Sequence, residues 1–213
     1  GQLQQVISAS SQIVDVLVSD VLCGSSLNSE DSQSHQSLDN NSKSICFATM
    51  TTIWLFSKVC PQLLVHHISI LQPYLSVKIT SELDSLILIK AVQTIENVLP
   101  KLNNPSESLL TSIEEGLTKN ILQSNPQVLM VCVSCLSSLI HKHTNNKQLV
   151  QDLFKKFFSL LDSLVKLSPI SCNQSSNRPR LLRALFTCGL FAKHFEFLEE
   201  KNQLYKLFVT FVN

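Results

Sequence analysis

Four glycines in 213 residues is a marked shortage, because average usage is roughly 7%. Glycine-rich phosphate loops and tight hairpins are therefore scarce, and no P-loop, GxSxG nucleophile elbow or HExxH zinc helix occurs. An excess of one charge is lacking too. The formal net charge of +1 excludes a strongly polybasic or polyacidic protein. The first residues do not read as a secretory signal. The apolar run from Val128 to Ile140 is 13 residues long and holds three serines, short of the about 20 residues needed to cross a bilayer. No membrane partner is expected.

Charge is nevertheless uneven along the chain. Residues 1–106 carry five Lys/Arg against eight Asp/Glu, whereas 107–213 carry twelve against eight. A mildly cationic C-terminal half permits contact with a phosphate backbone or an acidic partner. Seven cysteines, an odd number, read as reduced thiols rather than a disulfide framework. Cys132 and Cys135 form a CxxC ahead of His141 and His143, which invites a zinc reading. On a continuous helix Cys132 and His141 point to opposite sides, so packing cysteines are expected, with no metal and no cofactor. His66 and His67 point about 100° apart, giving one surface and one packing histidine. Trp54 and the phenylalanines Phe154, Phe157 and Phe158 sit at helical spacing, which favours core packing over base stacking.

What the chain does contain is helix punctuation. Residues 1–22 form an amphipathic N-terminal helix, and residues 23–43, rich in Ser, Asn, Asp and Gln, read as a flexible polar loop. From residue 44 to 213 the signals repeat. One helix covers 45–60, and Pro61 starts a second that ends near Pro73. Ser81 and Asp84 make a capping box for a third, which ends before Pro100. Asn104, Pro105 and Glu107 open a fourth, and Asn125 with Pro126 opens a fifth, to about Lys142. Residues 146–167, 179–195 and 200–212 supply three more, with a polar insertion from Ser168 to Asn177. Four antiparallel pairs result. They begin near Ile45, Glu82, Pro126 and Pro179, at offsets of 37, 44 and 53 residues, bracketing the roughly 40–47 residues of HEAT and armadillo units. The expected fold is all-α, a HEAT/armadillo-like α-solenoid.

The stretch RPRLLRALFTCGLFAKHFEF, residues 178–197, is the most distinctive. At about 100° per residue Arg180, Arg183, Thr187 and His194 fall in a stripe about 60° wide. Leu181, Leu182, Leu185, Phe186, Cys188 and Ala192 cover much of the remainder, so a mostly buried helix with one narrow polar seam is expected. The residue order resembles the Nipped-B family of cohesin-loading factors, which carry RPxLLRxLF, then a glycine, then a basic-His-Phe-acidic-Phe ending. Lys193 stands where that family usually has arginine, and Leu198 where it tends to have a second acidic residue. The runs TTIWLFSKVCPQLLVHHISILQPYL from Thr51, NPSESLLTSIEEGLTKNI from Asn104 and CVSCLSSLIHK from Cys132 resemble successive family segments in the same order.

The resemblance implies a HEAT-type segment of a nuclear cohesin loader. Its partners would be cohesin subunits, DNA in chromatin and, through a region outside this chain, a loader adaptor subunit. Such a loader stimulates ATP hydrolysis by cohesin's own head domains, so the segment would not be an enzyme and would hold no catalytic residue. Starting at Gly1 and stopping in an apolar run, the chain reads as a piece of something longer. Arg180, Arg183 and His194 are the candidate contacts for DNA phosphate or a cohesin carboxylate. Against this stands their use as internal struts to neighbouring helix ends or acidic side chains, the outcome expected of arginines on a buried helix. The other functional class consistent with the sequence is a helical-repeat adaptor in transport or signalling that never meets nucleic acid.

Overall fold

The computed structural model describes residues 2–23, 40–123, 125–166 and 177–212. Helices account for nearly all of them, and no strand occurs among the described residues. The fold class is the all-α helical repeat expected from the spacing of the caps. Two compact units divide the chain, Gly1–Ser124 and Asn125–Asn213. The first carries six Lys/Arg against eleven Asp/Glu and the second eleven against five, so the charge asymmetry follows the structural division.

In the first unit α1 (Gln2–Val16) runs on through a π-helical turn, Leu17–Cys23. Then come α2 (Asn40–Val59), a 3-10 turn (Pro61–His67) leading into α3 (Ile68–Ser76), α4 (Glu82–Val98) and α5 (Glu107–Gln123). Helix α2 packs on α4, while α3 packs on both α4 and α5. Their shared core includes Met50, Ile53, Leu71, Leu75, Leu88 and Ile95. Each such side chain stabilises the fold by about 1.5–3 kcal/mol relative to exposure.

Three boundaries differ from the sequence expectation. Helix α2 starts at Asn40, so residues 40–43, read as the end of the polar loop, form its first turn; residues 24–39 of that loop lie outside the described residues. The physical reason is Lys43, which is buried and paired to Asp84 at 2.8 Å. Pro73 lies inside α3 instead of ending it. Burial of Tyr74 and Leu75 just beyond it offsets the backbone bond that proline cannot make. Helix α5 is capped by Ser106, whose hydroxyl accepts from the Leu109 amide at 3.3 Å. Asn104, the expected cap, instead takes a left-handed turn with φ 49°, a conformation asparagine tolerates better than most residues.

The capping box at α4 forms as expected. Ser81 Oγ accepts from the Asp84 amide and Asp84 accepts from the Ser81 amide. Two further features hold α3 against α5. Asn120 donates to the Leu75 carbonyl at 2.7 Å, satisfying an acceptor at the end of α3. Gly116 lets the backbones approach closely: a Cβ there would stand 2.7 Å from Leu75 Cβ.

The second unit contains α6 (Pro126–Leu139), a π-helical turn (Ile140–Thr144), α7 (Lys147–Val165), α8 (Asn177–His194) and α9 (Lys201–Val212). Asn125 caps α6 through the Val128 amide at 3.0 Å, with Pro126 at the first position, as the sequence predicts. Asn146 does the same for α7 through Leu149 at 3.2 Å. Helix α8 packs on α7 and α6. At its centre is an aromatic chain in which Phe191 meets Phe154 edge-on at 6.5 Å and stacks on Phe195 at 5.7 Å. Residues 168–176 of the expected polar insertion lie outside the described residues.

Candidate partner-binding surface

Helix α8 has two apolar faces, and only one of them is buried. Ala184, Cys188 and Phe191 fill the core face, joined by Thr187 at 0% exposure. The Thr187 hydroxyl donates to the Arg183 carbonyl one turn back at 2.7 Å, which allows a polar residue to sit among hydrocarbon at little cost. The expected polar seam is therefore partly internal. Conversely, Leu182 and Phe186, expected inside, keep 55% and 41% of their surface exposed. Helix geometry puts them on the side away from Ala184 and Phe191.

That second face forms one wall of an open groove of about 750 Å³, with Pro179, Leu182, Phe186, Gly189 and Leu190 from α8 facing Phe208 of α9. Arg183 and Lys193 are the charged groups along it. Helix α8 contains Arg178, Arg180, Arg183, Lys193 and His194 and not one Asp or Glu. The groove is thus apolar along its floor and cationic at its edges.

The three residues singled out from the sequence do not form one site. Arg180 is exposed on the first turns of α8, so the strut expectation does not hold for it. Arg183, one turn on, is half-buried and lines the groove. His194 ends the helix roughly 16 Å further along the axis, where its carbonyl lies 3.4 Å from His141 Nε2. The ring of His141 stacks on Phe195 at 5.9 Å. This end of α8 serves packing.

Most of the other chemistry-bearing residues are engaged in packing or paired. Cys132, Cys135 and Cys188 are buried in the second unit, and burial pushes the thiols of Cys132 and Cys188 up to about 12. Among the described residues no group of three or more His, Cys, Asp or Glu is placed to hold a metal, and no helix is long and apolar enough to cross a membrane. His66 is exposed, while His67 meets Asp15 at 2.8 Å. The face of Trp54 is covered by Lys90 at 3.3 Å from the ring centre, with Lys58 at 4.4 Å. Burial, and then the positive charge of Lys58, lowers the pKa of Lys90. A ring face covered by a cation is not open to a stacking base.

No family model matches the chain. Similarity to individual proteins is extensive. Nipped-B-like protein B of Danio rerio is 38% identical over 157 residues, 72% of this chain and 6% of that protein. Nipped-B protein of Drosophila melanogaster is 36% identical over 163 residues, 75% of this chain and 8% of that protein. Sister chromatid cohesion protein mis4 of Schizosaccharomyces pombe is 27% identical over 158 residues, 74% of this chain and 9% of that protein. The chain therefore spans less than a tenth of the length of these relatives. With more than a third of residues identical across about three quarters of its own length, the chain belongs to the Nipped-B family.

Proposed function

We propose that this chain is a helical-repeat scaffold segment of a cohesin loader, acting in the nucleus to help place cohesin on chromatin. The similarity to Nipped-B proteins and to a sister chromatid cohesion protein, running across most of the chain, carries this reading. The segment supplies surface rather than chemistry: ATP is hydrolysed by the head domains of cohesin, stimulated in trans, and no cofactor is required. Cohesin subunits and DNA are the partners, and the loader adaptor subunit is held by a region outside this chain. Arg180 and Arg183 are the contact residues on this segment, Arg180 exposed on the first turns of α8 and Arg183 half-buried one turn on. Planar guanidinium groups suit both phosphate and carboxylate. His194, half-buried at the end of α8, is the third contact residue.

Copurification of the full-length protein from a nuclear extract tests the reading. Cohesin subunits are expected in the eluate. Recovery of transport cargo or signalling proteins in their place would overturn it in favour of the adaptor class.

A further inference from the structure

We infer that the groove between α8 and α9 is a docking site for an acidic amphipathic helix of a partner protein. This goes beyond a role in cohesin loading and does not depend on it. Three observations converge on that occupant.

The floor is apolar and, among the described residues, left open: Leu182 and Phe186 remain 55% and 41% exposed while lining the same groove as Phe208. Side chains of this size in contact with water favour an apolar partner surface. A volume of about 750 Å³ lies within the roughly 300–1,000 Å³ typical of ligand clefts, but the cleft is an open channel alongside a helix. That shape suits a second helix presenting apolar anchors at i, i+3 or i+4, and i+7.

The edges select the sign of the partner. Arg183 and Lys193 flank the floor some ten residues apart on α8, roughly 15 Å along the axis. Arg178 and Arg180 add exposed positive charge at the start of α8, outside the groove lining, and α8 itself contains no Asp or Glu. The whole second unit repeats the bias, with eleven Lys/Arg against five Asp/Glu. A helix with glutamates or aspartates beside its apolar stripe would satisfy floor and edge together. Duplex DNA would meet the edge but leave the apolar floor wet, because its outer surface is phosphate and sugar.

The 213-residue chain and fluorescent synthetic peptides test this. One peptide of about 18 residues, roughly 27 Å of helix, carries Leu and Phe anchors with flanking Glu. A second has Lys for every Glu, and a third has Ser for every anchor. Fluorescence anisotropy should show saturable binding of the first peptide, with at least about tenfold weaker binding of the other two. Leu182→Ala with Phe186→Ala should weaken it about tenfold, and Lys193→Glu about threefold. These side chains are exposed, so the variants should melt with the parent; Leu55→Ala on α2 is the control expected to change nothing. Equal binding of the Glu and Lys peptides would overturn the proposal, as would no saturable binding or binding indifferent to the groove variants. So would sedimentation showing dimers that the groove variants dissociate, which would make the occupant a second copy. Loss of cohesin copurification with peptide binding intact would sink the functional reading above and leave this one standing.

Discussion

Lys43 Nζ lies 2.8 Å from Asp84 Oδ1, with only 8% and 5% of the two side chains exposed, and the same carboxylate closes the capping box of α4. Asp84 Oδ2 also accepts from the amide and hydroxyl of Thr80. Burial is the largest single influence on this carboxyl and works against its charge. Together the bonds from Lys43, Thr80 and Ser81 outweigh that influence and hold it well below the usual carboxylate range. One side chain therefore starts a helix and anchors α2 beside it.

Acid should loosen this anchor. In the unfolded chain an aspartate titrates near about 3.9, and in the folded chain Asp84 titrates lower. Its stabilisation is complete above about pH 4 and is lost as pH falls from there through the folded value. Asp84→Asn should cost about 3–5 kcal/mol at neutral pH by stranding a buried ammonium and should flatten the acid limb of the stability curve. Urea titrations between pH 2 and 7 measure both. A variant as stable as the parent would show that Lys43 finds water instead.

The two described helical glycines should respond oppositely to alanine. Gly116→Ala places a Cβ 2.7 Å from Leu75 Cβ and should destabilise by about 1–3 kcal/mol through overpacking. At Gly189 the new Cβ meets nothing nearer than Phe208 Cζ at 3.9 Å, and φ is not positive. Gly189→Ala should therefore stabilise α8 by up to about 1 kcal/mol. Thermal melts of the two variants separate the cases.

Arg180→Glu should leave the melting temperature unchanged, since Arg180 is exposed. Association with DNA or cohesin should fall, most clearly at low salt, where surface charges are least screened. Arg183→Glu should lower both stability and association, because Arg183 is half-buried. Equal loss of stability in the two variants would mean that Arg180 is a strut after all.

Cys132, Cys135 and Cys188 should resist thiol reagents in the folded protein at pH 8, with Cys60, less buried, reacting before them. The raised thiol pKa values of Cys132 and Cys188 mean that stability falls as pH rises past about 8.5, where the unfolded thiols ionise. Chelator should leave the melt unchanged. Mass spectrometry of labelled protein and calorimetry with and without chelator check these outcomes.

Features set by near neighbours in sequence were legible there. Ser81 with Asp84, and Asn125 with Pro126, each act across a single turn, and the helix they start follows. Lys43 was not legible, because its counter-charge lies on a different helix and its neighbours Asn40, Asn41 and Ser42 read as loop. The orientation of α8 was hidden for another reason. With apolar residues on both sides, periodicity cannot say which side faces the core, and the polar Thr187 pointed the wrong way. Arg183 and Lys193 were visible as charges, but the groove between them depends on Phe208, a residue no local pattern connects to α8.

The bond from Asn120 to the Leu75 carbonyl bears on how the first unit comes apart. Helix α3 is short, interrupted by Pro73 and preceded by a 3-10 turn, so alone it would fray. Its last turn is instead gripped by α5, through Asn120 and through the close approach at Gly116. The two helices must then open together, and their amide hydrogens should exchange with solvent at a common rate rather than in order of helix length.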